Sequence, residues 1–258
     1  MKSISLYVDN KTFLNRIEPF NKIFYILTAI IVPLFIGEFW GYGIFIGLSL
    51  ILLFLGKTLK RTIPLIAFSF TILVTIFLIH GLFNASNENI LFTFLGLRFY
   101  REGVMYATRI SLNILNMLLS FAIFVLTTKP SDLVEDMERI GFSPRFGYII
   151  ASVFQIIPQM IGTMSTITDA QRSRGLETEG KFWVRAKAFI PLIAPVVMSS
   201  LSNTRERAIA LEVRGFEARG KKTFLNDKRK SRTGLIIRIV MILAIIFSVI
   251  WRVYLWLL

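Results

Sequence analysis

Few side chains in this sequence could do chemistry, and their spacing excludes most kinds. There is no cysteine, so disulfides, thiolate metal sites and a cysteine nucleophile are ruled out. A single histidine, His80, rules out three-histidine zinc sites and paired-histidine motifs. A serine triad would have to run through His80, and no GxSxG accompanies it. Gly56-Lys57-Thr58 imitates the end of a P-loop. The first glycine of that pattern would fall at Ile51, and the context is the end of an apolar run, not a strand–loop–helix. No catalytic residue, metal site or cofactor is expected. What stands out instead is a pair of arginines. Asp169-Ala170-Gln171-Arg172-Ser173-Arg174-Gly175 and Ala210-Leu211-Glu212-Val213-Arg214-Gly215-Phe216 share one order: a charged helical turn, a short residue, Arg, Gly. For either alone, a helix cap is explanation enough, with Gly in the left-handed conformation and Arg meeting the negative end of the dipole. Two long helices closing the same way suggest more. A guanidinium held at a rigid tip suits the carboxylates and main-chain carbonyls of a partner's groove. Two tips predict two similar sockets. A third copy, Glu217-Ala218-Arg219-Gly220, has no long helix of its own and reads as a cap.

The elements that must carry these tips lie in a very apolar chain. Of 258 residues 54% are hydrophobic and only 18% charged, and the mean hydropathy is +0.64. Soluble domains have about 45–50% apolar and about 25% charged residues. The composition therefore predicts an all-α integral membrane protein. Apolar stretches near 22–37, 40–56, 63–81, 103–127 and 234–256 are long enough to read as about five transmembrane helices. The turn from Gly37 to Gly43, with Trp40 and Tyr42, reads as an interfacial hairpin tip.

The net charge of +14 is concentrated. The window from Thr127 to Arg232 holds 18 of the 30 basic and 11 of the 16 acidic residues. The expected organisation is a four-span membrane domain over 1–127, a water-facing domain over 128–232 and a last span over 233–258. Lys2, Lys11, Arg16 and Lys22, then Lys57, Lys60 and Arg61, and the basic run from Lys221 to Arg232 put the N-terminus and the central domain on the cytoplasmic side. Residues 1–22 lack the apolar core and small-residue site of a cleavable signal.

Within the central domain three helices are expected. Ser131 caps the first, with Asp132 in its first turn. Leu133, Val134, Met137 and Ile140 share a face, and Gly141 ends the helix. Ser143-Pro144 opens the second, which runs to about Ser173. Ser152, Gln155, Gln159, Thr163 and Thr166 form a polar stripe on it. Phe146, Ile149, Val153, Ile157, Met160, Met164 and Ile167 form its apolar face. Such a helix suits the membrane boundary or burial among partners. A sixth span over 146–168 is the alternative, and 188–204 is similarly open. The third helix runs from Val184 to Val213 and is expected to kink at Pro191 and Pro195.

These residues resemble the transmembrane T component of energy-coupling factor (ECF) transporters, the EcfT/CbiQ family. Tyr7-Val8, Phe13-Leu14, Ile17-Glu18-Pro19 and Lys22 resemble the family's start. Phe99-Tyr100-Arg101-Glu102-Gly103 resembles its entry to the fourth span, and Thr127-Thr128 to Leu133 its first coupling helix. Gln171-Arg172-Ser173-Arg174-Gly175 and Glu212-Val213-Arg214-Gly215-Phe216 resemble its two Ala-Arg-Gly signatures, with Ser173 and Val213 in place of Ala. The resemblance implies a non-catalytic subunit in a bacterial or archaeal cell membrane. Two ABC-type ATPases would dock on Ser173, Arg174, Gly175 and on Val213, Arg214, Gly215, with Arg172 and Glu212 in support. A substrate-binding S component would sit against Leu133, Met137, Val153, Ile157, Met160 and Met164. The cargo would be a vitamin or a metal ion.

Other classes fit less well. A self-sufficient secondary transporter or channel is the alternative, but such proteins keep ionisable groups or broken helices near the midplane. Arg109 is the one deep candidate, a turn inside its span, and snorkelling explains it. A membrane enzyme needs clustered carboxylates or an activated nucleophile, and neither is present in the spans. The basic run from Lys221 to Arg232 beside a span reads as positive-inside charge against lipid headgroups, not as a nucleic-acid site. Asn84-Ala85-Ser86 fits a glycosylation sequon only in a eukaryotic secretory setting.

Overall fold

The structure is a computed structural model that describes residues 7–10, 12–83, 89–94, 96–176, 181–218 and 232–257. Among the described residues it is all-α apart from one hairpin. The elements are α1 (Phe13–Arg16), α2 (Pro19–Ile36), α3 (Phe39–Leu55), α4 (Leu59–Phe83), β1 (Ile90–Phe94), β2 (Leu97–Tyr100), α5 (Arg101–Thr127), α6 (Pro130–Arg139), α7 (Pro144–Ser173), α8 (Phe182–Val213) and α9 (Arg232–Leu257). Chain contacts divide it into two compact units. One takes in Ser5–Ile140 and Lys230–Leu258, and the other Gly141–Arg229.

The larger unit is a bundle in which α2 packs on α3, α5 and α9, and α4 packs on α5. Its core is Leu14, Tyr25, Ala29, Leu53, Leu119, Ala122, Ile123 and Leu126. Small residues let the helices approach closely, as lipid-embedded packing requires: Ala29, Ala107, Ser49 and Ser120 have no exposed surface. Several polar groups inside are paired. The Tyr25 and Ser49 hydroxyls lie 2.7 Å apart, and the Asn116 amide donates to the Ala29 carbonyl. The outer faces stay apolar. Phe68, Phe70, Leu243 and Phe247 are exposed, as expected of side chains that meet lipid.

Among the described residues five helices are long and apolar enough to cross a membrane: α2, α4, α5, α7 and α9. The stretch read as a span over 40–56 is the 17-residue α3. At 1.5 Å per residue it covers about 25 Å, a little less than the ~30 Å of hydrocarbon. The Gly37–Gly43 turn is shorter than the sequence suggests. Gly37 takes φ 75° as the cap of α2, and α3 begins at Phe39. Trp40 is exposed at its start, but Tyr42 is buried rather than interfacial.

The connection between α4 and α5 contains a hairpin, with β1 antiparallel to β2 and Phe92 opposite Phe99. Phe99 is buried, stacked on Phe92 at 4.8 Å and close to Phe77 at 6.2 Å. Ser131 does not cap α6. Pro130 occupies the first helical position after Lys129, which leaves Ser131 inside the first turn and exposed. Gly141 does follow the end of α6, at φ 104°.

Lys22 is buried rather than marking a loop. Its Nζ donates to the Thr127 carbonyl at 2.9 Å and to Thr128 Oγ1 at 3.3 Å, capping α5 where α6 begins. Beside that junction Lys129 lies 3.4 Å from Asp9 Oδ2 and over the Tyr7 ring. Partial burial works to lower its pKa, but Tyr7, Asp9 and Asp132 outweigh it and hold the ammonium above its ordinary value. Arg238 of α9 donates to Glu18 at 3.0 Å and to Asn21 at 3.1 Å, fastening α9 to the start of α2.

Candidate functional site

The two arginine tips belong to the smaller unit, on α7 and α8. Ser143-Pro144 starts α7 where the sequence places it. The helix α8 begins two residues earlier than expected and continues through Pro191 and Pro195. The two helices pair antiparallel. Arg145 reaches Glu217 at 3.2 Å, the Tyr148 ring meets Phe216 at 5.3 Å, and Arg207 donates to Gln159 at 2.7 Å and Gln155 at 3.4 Å. A small cavity between Gln159, Met160 and Thr163 on α7 and Ser200, Asn203 and Thr204 on α8 continues the seam.

Both helices end in the same hydrogen-bonded cap. At the first, Gly175 N donates to Arg172 O at 2.9 Å and Leu176 N to Gln171 O at 3.0 Å. At the second, Gly215 N donates to Glu212 O at 2.9 Å and Phe216 N to Leu211 O at 3.0 Å. These are the two reversed bonds of a Schellman motif, which satisfies the last carbonyls of a helix. It needs a left-handed residue, and Gly175 and Gly215 supply φ 86° and 71°. Arg174 and Arg214 stand in the same place in each motif, directly before the glycine, with φ −91° and −80°. Both are exposed, as are Arg172, Ser173, Glu212 and Val213. Because the pair is antiparallel, the tips lie at opposite ends of it. Arg214 shares a pocket with Tyr148 near the start of α7. From Tyr148 to Arg174 the α7 axis rises roughly 40 Å at 1.5 Å per residue. One small partner could not cover both.

Gln155, Gln159 and Thr163 of the polar stripe reach α8 beside Ile156 and Met160, and part of the apolar face points away from the pair. Val153 and Ile157 are exposed, as are Phe146, Ile149, Phe154 and Ile161. Met160 and Met164 are half-buried, and Met160 lines the seam. Leu133 and Met137 lie half-buried on α6, in the other unit. The sequence reading missed Arg207, which joins the two long helices. The signal available was a run of unpaired amides, Gln155 and Gln159, on an otherwise apolar helix.

His80 makes an edge contact with the Tyr106 ring at 5.0 Å. Arg109 is exposed and lies over the Phe39 ring, as a snorkelling residue would. Among the described residues no cluster of His, Cys, Asp or Glu could hold a metal ion. The third Arg-Gly copy at 219–220, the sequon at 84–86 and most of the basic run lie outside the described residues.

Fold and tips together define a multi-pass, all-α membrane protein that carries an antiparallel helix pair with two matched arginine ends. Residues 10–224 match the family model CbiQ, described as a cobalt transport protein. Curated relatives named energy-coupling factor transporter transmembrane protein EcfT align over most of their length. The Staphylococcus aureus protein is 28% identical over 85% of both chains. The Brevibacillus brevis protein is 29% identical over 97% of this chain and 98% of its own. The Clostridium kluyveri protein is 25% identical over 98% and 97%. The chain belongs to the EcfT/CbiQ family, the transmembrane components of energy-coupling factor transporters.

Proposed function

We propose that this chain is the membrane scaffold and energy-coupling subunit of an ECF-type importer. Two cytoplasmic ABC-type ATPases dock on it, one at Arg174 and one at Arg214. A separate S component in the membrane binds the cargo, a vitamin or a metal ion. ATP is hydrolysed by the ATPases, and this subunit itself is not an enzyme. The reading puts the N-terminus and the α6–α8 region on the cytoplasmic side, where the ATPases and the positive-inside charge belong.

One observation carries the proposal. Two exposed arginines stand at the same position of two identical caps, at opposite ends of one helix pair. Each cap fixes its arginine relative to a rigid helix, so a push on the tip is transmitted along the helix. The exposed apolar residues Val153 and Ile157 of α7 offer one surface for the S component; Leu133 and Met137 of α6 offer a second, separate one.

The test is charge reversal. A desolvated interfacial charge pair is worth about 2–5 kcal/mol to its complex. Arg174→Glu or Arg214→Glu should therefore weaken ATPase docking at least about thirtyfold and abolish uptake while insertion stays normal. Normal docking and uptake in both variants would remove the assignment.

A further inference from the structure

Resting on the docking reading above, we propose that Arg207 is a positioning residue. It pins α7 to α8 so that the two tips keep one separation, and it touches neither ATPase. The seam between the helices mixes apolar and polar side chains. Ile156, Gln159, Met160 and Thr163 of α7 meet Ser200, Asn203, Thr204 and Arg207 of α8, while Val153, Phe154, Ile157 and Ile161 are exposed. Apolar contact from Ile156 and Met160 is non-directional, so it holds the helices together without fixing their register. Directional hydrogen bonds fix it, and Arg207 is the charged side chain lining that cavity.

Its geometry suits a pin. Nη2 donates to Gln159 at 2.7 Å and Nη1 donates towards Gln155 at 3.4 Å. The two acceptors are four residues apart, on successive turns of α7. A planar fork across two turns resists both rotation and sliding, which a flexible ammonium cannot do. Both acceptors are neutral amides, so releasing the fork leaves no carboxylate without its counter-ion. Arg207 also sits inside the lever. It is about 10 Å along α8 from Arg214, and Gln159 is about 22 Å along α7 from Arg174. A small change at the pin is thus magnified at the α7 tip.

Because the chain has no cysteine, two introduced ones can carry spin labels without interference. Ala170→Cys and Ala218→Cys place labels at exposed positions beside the two tips. The full chain in lipid nanodiscs is then compared by double electron–electron resonance with Arg207→Lys, Arg207→Met, and the exchange Arg207→Gln with Gln159→Arg. The Met variant should broaden the distance distribution at least about twofold, and the Lys variant should do so less. The exchange should narrow it again. In uptake assays Arg207→Met should lose about tenfold while ATPase capture stays within about twofold of the parent. An unchanged distribution in Arg207→Met, or an exchange that fails to narrow it, would overturn the proposal. A parallel loss of capture and uptake would also overturn it, since Arg207 would then act at the ATPase interface. If Arg207→Met does not insert, the exchange variant alone decides. Failure of the docking reading shows up separately, as normal capture by Arg174→Glu and Arg214→Glu.

Discussion

Replacing Gly175 or Gly215 with Ala isolates the shape of the tips from their charge. Neither position is crowded. A Cβ on Gly175 meets nothing within 4 Å, and one on Gly215 comes no closer than 3.8 Å to Ala218. What each glycine supplies is a positive φ, 86° and 71°. An alanine forced there costs about 1–2 kcal/mol. The turn can relieve that strain by opening the two reversed hydrogen bonds, which are worth about 0.5–1.5 kcal/mol each, and the arginine is then aimed elsewhere. If only the closed cap docks, losing 1–2 kcal/mol lowers ATPase affinity about five- to thirtyfold, with no change in membrane insertion. Asparagine tolerates the left-handed region better, so Gly175→Asn and Gly215→Asn should lose only a few-fold. The assay is a binding titration of purified ATPase against the detergent-solubilised chain, alongside thermal unfolding to show the bundle unchanged. Alanine variants that bind like the parent, or asparagine variants as weak as alanine, would refute the argument from backbone conformation.

Two further outcomes follow from the geometry. Gly81→Ala would bring a Cβ to 2.9 Å from the Phe99 ring, which is also stacked on Phe92. Overpacking of this kind costs about 1–3 kcal/mol, so its melting temperature should fall, and adding Phe99→Leu should recover part of the loss. Arg219→Ala, in the third Arg-Gly copy, should reduce uptake far less than Arg214→Ala; equal losses in transport assays would mean the second docking tip was assigned to the wrong copy.

What the sequence made legible was local. Ser143-Pro144 and Gly175 bracket α7 with signals that act within a turn, and the structure ends that helix at Ser173. The two Arg-Gly motifs were likewise readable as caps, because left-handed glycine needs only its neighbours. Ser131 was misread for the same local reason: Pro130 competes for the helix start and takes it. The side of α7 that turns inward was not legible. Its polar stripe suited either a membrane boundary or burial among partners. The partner proved to be α8, whose Ser200, Asn203, Thr204 and Arg207 lie some distance along the chain. Lys22 shows the same limit. A lysine at a span's edge reads as positive-inside charge until the fold brings Thr127 and Thr128 to it. The hairpin over 90–100 was hidden because one short pair carries a weak signal. Its turn glycine, Gly96 at φ 80°, and the apolar residues Ile90, Phe92 and Phe99 were the cue.

The central claim is that this subunit couples two ATPases to a separate cargo-binding protein. Gentle detergent capture of the tagged chain from its native membrane, followed by mass spectrometry of what accompanies it, tests that most directly. The account predicts two ABC-type ATPases and a small, very apolar membrane protein. A chain that comes out alone, or only with copies of itself, would contradict it and return Arg174 and Arg214 to the role of simple helix caps.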